Sequence, residues 1–312
     1  MAASVFFSHP ASADHDTGQH PERAERIFAI ESHPDETGWL GFERRDAPRV
    51  QRALLEFCHD PGYVAALERL CSAGGGQIDD DTLVSEGSWE AALRAAGGAV
   101  AVVDALLSGE AVAAFAAGRP PGHHALRGRA MGFCLFNNVA LAAIHALAAH
   151  VLERVLIFDW DVHHGNGTND LFRNSAQVLY ASIHESPLFP GSGPAGDTGS
   201  GEGAGFTLNM PVPAGAGDEV FCELVHSRVI PLARRYRPQL ILISAGYDAH
   251  IEDPLANCLV TEAGYAAMTT AMRQLAEELE VPLGVVLEGG YELCALARSV
   301  AATLEALGDA PA

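Results

Sequence analysis

Short apolar runs alternate with longer amphipathic segments along this chain of 312 residues. Six runs have the length and the continuous apolar character of buried strands: 5–7, 111–117, 154–159, 177–182, 239–245 and 282–288. Four segments between them have the apolar spacing of helices: 88–107, 138–153, 218–236 and 262–280. Buried strands that are separated by helices are typical of a parallel sheet. We therefore predict an α/β fold: a single domain over 1–312, with a mostly parallel central sheet and helices on both faces.

Polar side chains follow the carboxyl ends of four of these predicted strands. In open parallel sheets the ligand crevice lies outside this edge of the sheet. The side chains concerned are His123 and His124 after the second run, Asp159, Asp161 and His163 at the end of the third, Asp248 after the fifth, and Tyr291 after the sixth. Their recurrence at four strand ends predicts a chemical site there, although a solvated acidic turn is the simpler alternative for any one of them.

The stretch around 159–163 has the donor types of a metal site. On an extended chain every second side chain projects to the same side, so Asp159, Asp161 and His163 would form one row. Together with Asp248 they offer three or more nitrogen and oxygen ligands, as in catalytic zinc sites that keep a position open. The same donors also suit Fe(II) or Co(II). A two-metal cluster would need more bridging carboxylates than these motifs contain.

Composition excludes several classes of function. The net charge of −21 argues against a nucleic-acid partner. All 19 basic side chains are arginine, which excludes P-loop chemistry, pyridoxal Schiff bases and lysine general bases. The six cysteines form no CxxC pair, the start of the chain lacks the features of a signal peptide, and polar residues interrupt the most apolar windows. We therefore expect a cytoplasmic protein without a membrane partner; no pattern indicates its oligomeric state.

Several motifs, taken together and in order, carry a resemblance to a known family. They are HDTGQHPER at 15–23, PGHHA at 121–125, DWDVHHGNGT at 159–168, GFTLNMPVPAG at 205–215, SAGYDAH at 244–250, DPLANC at 253–258 and EGGY at 288–291. The chain resembles the zinc-dependent histone deacetylase and acetylpolyamine amidohydrolase superfamily, in particular its class II-like bacterial branch. The resemblance covers nearly the whole chain and implies an arginase/deacetylase-like fold.

The resemblance also implies roles for individual residues. One catalytic Zn²⁺ is expected on Asp161, His163 and Asp248, and the catalytic groups are expected to be His123, His124 and Tyr291. Asp159 is expected to orient His123, and Asn166 to orient His124. A structural K⁺ is expected on backbone atoms of Asp159, Asp161 and His163 and on the Ser182 hydroxyl. The substrate tunnel and its rim are expected to include Gly132, Phe133, Phe189, Leu255 and Gly289, with Asp81 at the rim.

The expected reaction is removal of an acetyl or other acyl group from an amine. Leu255 stands where polyamine-selective relatives often carry a carboxylate, which favours acyl-lysine-like substrates. Asp81 and the net charge of −21 favour a cationic substrate instead, so an acetylpolyamine amidohydrolase is the alternative. Two more distant alternatives are a two-manganese ureohydrolase and a metal-binding relic without catalysis.

Overall fold

The computed structural model describes residues 3–36 and 38–308. These residues form β-strands and α-helices. The strands are β1 Ala3–Ser8, β2 Phe42–Asp46, β3 Gly75–Gln77, β4 Leu83–Ser85, β5 Ala111–Ala116, β6 Val155–Asp159, β7 Val178–Glu185, β8 Thr207–Val212, β9 Leu240–Ala245 and β10 Leu283–Leu287. The α-helices are α1 Glu25–Glu36, α2 Arg52–Cys58, α3 Pro61–Ser72, α4 Ser88–Leu107, α5 Asn138–Ala149, α6 Asn166–Phe172, α7 Asp218–Leu224, α8 Ile230–Tyr236, α9 Glu262–Leu279 and α10 Leu293–Gly308. Short 3₁₀ turns lie at Pro10–Ala13, Gly38–Gly41 and Gly201–Gly203.

Eight of the strands form one sheet in the order β2-β1-β5-β10-β9-β6-β7-β8, and each neighbouring pair is parallel. The strands β3 and β4 form a separate antiparallel hairpin. The predicted α/β class and the parallel central sheet are confirmed. Among the described residues, no helix is long and apolar enough to cross a membrane.

The six predicted strands are all present, but two edge strands were not predicted. The edge strand β2 has the sequence FERRD, and its charged side chains are mostly exposed. The other edge strand, β8, contains Pro211. Proline has no N–H for a ladder hydrogen bond and is confined to sheet edges, which conceals such a strand in the sequence pattern.

The predicted helices differ from the observed ones mainly at their ends. The segment 138–153 is helical only as far as Ala149, because His150 caps the helix and Val151 has a φ of 56°. The segment 218–236 contains a π-turn at Val225–Val229 between α7 and α8. Pro231 is the second residue after this turn. Proline has no N–H to donate to a carbonyl of the preceding turn. The wider π-turn before it accommodates this missing hydrogen bond.

Both faces of the sheet are buried, which explains the continuous apolar runs. Successive strand residues point to opposite faces. In β1, Phe6 packs in the core cluster that also contains α9 and α10 side chains, whereas Val5 and Phe7 pack in the cluster that contains α4 and α5 side chains. Neither face therefore has the polar alternation of a half-exposed sheet.

The sheet order brings the chemically important loops together. The strands β5, β10, β9 and β6 are consecutive neighbours, and all run in the same direction. Their carboxyl ends therefore lie at one edge, next to each other. The segments that contain His123, Tyr291, Asp248 and Asp161 each leave the sheet at this edge.

Candidate active site

Three buried side chains at the carboxyl edge form a group that could hold a metal ion. Asp161 and His163 follow β6, and Asp248 follows β9. One ligand atom from each lies within 4.8 Å of the others. The His163 Nδ1 atom is 3.2 Å from Asp161 Oδ1 and 3.0 Å from Asp248 Oδ2. Two carboxylates and an imidazole are a donor set that fits a divalent cation such as zinc.

Backbone groups orient both carboxylates. Asp161 Oδ2 accepts a hydrogen bond from the Gly289 N–H at 2.9 Å, and Asp248 Oδ1 accepts one from the Val162 N–H at 2.9 Å. A Cβ at position 289 would lie 2.2 Å from Asp248 Oδ2. Only glycine therefore lets the loop that follows β10 approach the metal ligands so closely.

The group carries a strongly negative potential. Burial by itself would lower the pKa of His163, but the hydrogen bonds that its ring donates to the Asp161 and Asp248 carboxylates raise it to about 10. Burial raises the pKa of Asp248, and the neighbouring Asp161 carboxylate raises it further. Both effects have the same cause: two carboxylates are buried side by side. A bound cation would neutralise this charge, which is a second reason that the residues fit a metal.

Asp159 does not join this group, although the extended pattern would align it with Asp161. The strand β6 ends at Asp159, so the alternation of an extended chain does not continue. Its Oδ2 atom is 3.1 Å from His123 Nδ1 and accepts a hydrogen bond from the Tyr180 hydroxyl at 3.1 Å. The carboxylate thus contacts the first histidine, and its expected role in orienting that ring stays a prediction.

The two histidines that follow β5 lie side by side in different electrostatic environments. The rings of His123 and His124 are 4.0 Å apart between centroids. Burial lowers the pKa of His123, but Asp161 and Asp159 raise it to about 10. Burial holds the pKa of His124 well below its usual range, and the positive charge of His123 lowers it further. The second ring is therefore the one that stays neutral.

The contact with Asn166 determines the tautomer of His124. The distance between His124 Nδ1 and Asn166 Oδ1 is 2.8 Å. Because an amide oxygen only accepts, Nδ1 must carry the hydrogen, and the lone pair is on Nε2. The amide nitrogen of Asn166 is directed to Met131 Sδ at 3.4 Å, which is consistent with this orientation.

Aromatic rings surround the approach to His124 and Tyr291. Phe189 meets the His124 ring edge-on at 5.2 Å, and Phe133 meets the Tyr291 ring edge-on at 5.7 Å. Gly132 lies between them with a φ of +55°, and a Cβ there would be 2.5 Å from His124 Cδ2 and 3.0 Å from Phe189 Cε1. The predicted tunnel residues 132, 133 and 189 are therefore brought together beside the histidine pair.

Comparison with known proteins identifies the family. Residues 20–307 match the model of the histone deacetylase domain. The chain belongs to the histone deacetylase family. It is 40% identical over 284 residues to the histone deacetylase-like amidohydrolase of Pseudomonas aeruginosa, a match that covers 90% of this chain and 74% of that protein. It is 39% identical over 297 residues to a probable deacetylase of Archaeoglobus fulgidus, with 94% of this chain and 82% of that protein covered.

A solved structure of the histone deacetylase family has the same fold. The crystal structure of the HDA15 HD domain superposes with a TM-score of 0.94 at 35% sequence identity, and the match covers 98% of this chain and 88% of that one. The resemblance and the arginase/deacetylase-like fold that it implied are thereby confirmed.

The remaining predicted residues of this histone deacetylase domain lie around the same edge. The Asp81 Oδ1 atom accepts a hydrogen bond from the Thr82 hydroxyl at 3.0 Å, and Thr82 Oγ1 in turn accepts one from the Phe133 N–H at 3.2 Å. Asp81 therefore lies next to the aromatic approach. Leu255 is half-buried in the loop after β9, and its N–H donates to Asp253 Oδ1 at 3.0 Å.

Ser182 lies beside the histidine-orienting carboxylate, in the neighbouring strand. It is paired with Asp159 across β6 and β7, and it is fully buried. Its Oγ atom is 2.9 Å from His184 Nδ1. The proximity of Ser182 to the 159–163 segment is consistent with the expected K⁺ site, which stays a prediction.

Two buried charged groups near the site were not predicted. Glu288 accepts hydrogen bonds from the N–H groups of Gly122 at 2.6 Å and His123 at 3.0 Å, and burial raises its pKa to about 7. Arg26 donates to the Gly290 carbonyl at 2.6 Å and to the Glu288 carbonyl at 2.5 Å. Glu288 thus braces the loop that contains His123, and Arg26 braces the loop that leads to Tyr291. The HPER and EGGY motifs contain or adjoin these residues, but spacing alone gave no sign of the contact.

Proposed function

We propose that this protein is a zinc-dependent deacetylase that removes acetyl groups from acyl-lysine-like substrates, with zinc held by Asp161, His163 and Asp248. The observation that supports it most is the combination of a buried metal-ligand group and a neutral histidine beside it. The rings of His124 and His163 are 6.0 Å apart between centroids. A metal-binding relic would not need a proton acceptor held at this distance.

Zinc held by Asp161, His163 and Asp248 would supply a Lewis acid for the amide carbonyl and would lower the pKa of a bound water molecule. The Nε2 atom of His124 is free to accept a proton from a water molecule that attacks the amide carbonyl, because Asn166 holds the hydrogen on Nδ1. The same atom then returns the proton to the leaving nitrogen when the C–N bond breaks. The products are a carboxylic acid and a free amine, so atoms and charge balance.

Tyr291 is proposed as the donor to the carbonyl oxygen in the transition state. Burial raises the pKa of its hydroxyl well above the usual range, so it stays protonated and can donate. Its position depends on Asp253, whose Oδ2 atom accepts the Tyr291 N–H at 2.7 Å. Arg26 lies 5.0 Å from the centre of the tyrosine ring and restrains it from the other side.

We further propose a structural K⁺ on the backbone of Asp159, Asp161 and His163 with the Ser182 hydroxyl. The pairing of Asp159 with Ser182 across two strands supports it. The cytosol remains the proposed location, and the support is that all six cysteines are free thiols.

The substrate class is argued from the rim of the site. Phe189 is 40% exposed, which leaves an apolar opening that accepts an alkyl stem. Leu255 offers no charge for a distant ammonium group. Both features support an acyl-lysine-like substrate. Asp81 supports the second candidate, an acetylpolyamine, because a rim carboxylate attracts a cationic amine.

The decisive experiment compares kcat/KM for an acetyl-lysine peptide, acetylputrescine and acetylspermidine with the zinc-loaded protein. We expect the peptide to be preferred. A preference of more than about tenfold for the polyamines, roughly 1.4 kcal/mol in transition-state binding, would instead support the second candidate. Asp81→Asn is the matched variant, since it removes the charge and should lower kcat/KM for polyamines more than for the peptide. If the zinc-loaded protein hydrolyses no acetylated amine at all, the proposed activity is wrong.

A further inference from the structure

A second group of metal-binding side chains lies outside the active site. Asp104 is in the last turn of α4, His145 is in α5, and His150 caps the carboxyl end of α5. The Asp104 Oδ1 atom is 2.7 Å from His145 Nε2 and 2.8 Å from His150 Nε2. The two imidazole rings meet edge-on, 5.4 Å apart between centroids. Three potential ligand atoms therefore converge from two helices.

This group is far from the catalytic edge of the sheet. The helix α4 leads into the start of β5, and α5 leads into the start of β6. The two strands run in the same direction, so both start at the amino edge of the sheet, opposite the edge that contains Asp161. The group is thus a separate feature that the deacetylase mechanism does not use.

His145 lies within α5 and His150 caps its end, and both contact the same carboxylate. Residues five apart on a regular helix do not share a face, since five residues turn the helix through about 500°. Here the helix ends at Ala149, Val151 adopts a φ of 56°, and the Leu152 N–H donates back to the Ala146 carbonyl at 3.3 Å. The turn closes the helix directly after His150, whose own φ of −99° and ψ of 2° depart from the helical values. Both rings contact the same Asp104 Oδ1 atom, so the pair is already organised around that carboxylate before any ligand arrives.

The donor set and spacing suit a transition-metal ion. Two imidazoles and one carboxylate form three of the four positions of a tetrahedral zinc site. Ligand atoms bound to zinc at 2.0–2.1 Å are separated by roughly 3.3 Å, so the observed distances need to open by only about half an ångström. All three ligand atoms lie within 4.8 Å of one another.

Solvent can reach this group. The Asp104 side chain is 55% exposed, whereas the His145 and His150 side chains are 19% and 27% exposed. The carboxylate can therefore move outward to admit an ion, while the partly buried rings stay in place. The position left open by the protein would be filled by water.

We propose that Asp104, His145 and His150 form a surface site for a second divalent transition-metal ion, with zinc as the ion it binds. The ion links the end of α4 to the end of α5 and so fixes the two segments that enter β5 and β6. Its effect is on stability rather than on the chemical step, because the site lies at the amino edge of the sheet.

Zinc content after equilibrium dialysis of the full chain against micromolar Zn²⁺ tests the proposal. We expect the double variant His145→Gln/His150→Gln to bind one zinc ion fewer per chain than the unmodified protein. The matched control is His226→Gln, which removes an exposed histidine elsewhere and should leave the zinc content unchanged. Asp248→Asn should lose the other zinc ion and keep this one. These two losses are separate, so the result does not depend on the active-site assignment.

Thermal unfolding supplies the second measurement. Zinc should raise the unfolding midpoint of Asp248→Asn, in which only the surface site remains. It should not raise the midpoint when Asp104→Asn is added to that variant. Circular dichroism checks that each variant is folded, and Asp104→Asn replaces the double variant if the latter is not. Equal zinc content in the unmodified protein and in the surface-site variants would overturn the proposal.

Discussion

Replacement of Glu22 by glutamine would remove the counter-charge of two buried guanidinium groups. Glu22 Oε1 accepts from Arg26 Nη1 at 3.0 Å and from Arg119 Nε at 2.6 Å, while Oε2 accepts from Arg119 Nη2 at 2.8 Å. His15 Nε2 is 3.4 Å from the same carboxylate. The Glu22, Arg26 and Arg119 side chains are all fully buried. Glutamine has only one acceptor atom, and its NH₂ group would face donors.

The expected loss of stability is large. Breaking a buried ion pair by removing one partner costs about 3–5 kcal/mol, because the remaining charge stays buried. The entropy of unfolding is about 2.1 cal/mol/K per residue, or roughly 0.65 kcal/mol/K for a chain of this length. The melting temperature of Glu22→Gln should therefore fall by about 5–8 °C. Differential scanning calorimetry measures this shift.

The effect should depend on pH in a defined direction. Burial raises the pKa of Glu22, but Arg119 and the other partners outweigh it and hold the pKa well below its usual range. A carboxyl whose pKa is lowered in the folded state contributes stability that is complete above the unfolded pKa. That contribution is lost as pH falls towards the folded value. The difference between the unmodified protein and Glu22→Gln should therefore shrink as pH falls below about 4.5.

Activity provides a further measurement on the same variant. Arg26 also braces the Gly290 and Glu288 carbonyls, so its displacement should lower kcat while zinc content stays unchanged.

Glu25→Gln is the matched control, because Glu25 is exposed and lies three positions further along the chain. If Glu22→Gln melts within about 1 °C of this control, the buried charge is not important for stability and our reasoning is wrong.

Three further predictions concern the site itself. Tyr291→Phe should retain zinc and lower kcat by about 10²–10³, the loss typical of one oxyanion donor; a rate equal to that of the unmodified protein would contradict the assignment. Gly132→Ala should lower kcat/KM by about 10², because its Cβ would lie 2.5 Å from His124 Cδ2; unchanged kinetics would show that the ring moves freely. Asp248→Asn should lose the active-site zinc and nearly all activity, whereas activity without that zinc would argue against a metal mechanism.

The sequence alone was sufficient for the class of fold and for the edge of the sheet at which the candidate site lies. Each buried strand is a continuous apolar run, and this pattern is local, so all six predicted strands are present. The carboxyl ends of parallel strands meet at one edge whatever the strand order is. His124, Asp161, His163 and Asp248 could therefore be assigned to one site before their distances were known.

Tertiary structure decided which of these side chains touch. Asp159 could have continued the ligand row, but the end of β6 directs it to His123 instead. Arg26 meets the Gly290 carbonyl 264 positions further along the chain, a separation at which no local pattern carries information. Likewise, His145 and His150 share a carboxylate because α5 packs against α4, which contains Asp104. Periodicity reports whether a position is buried, whereas the partner of a buried polar group depends on how distant segments pack.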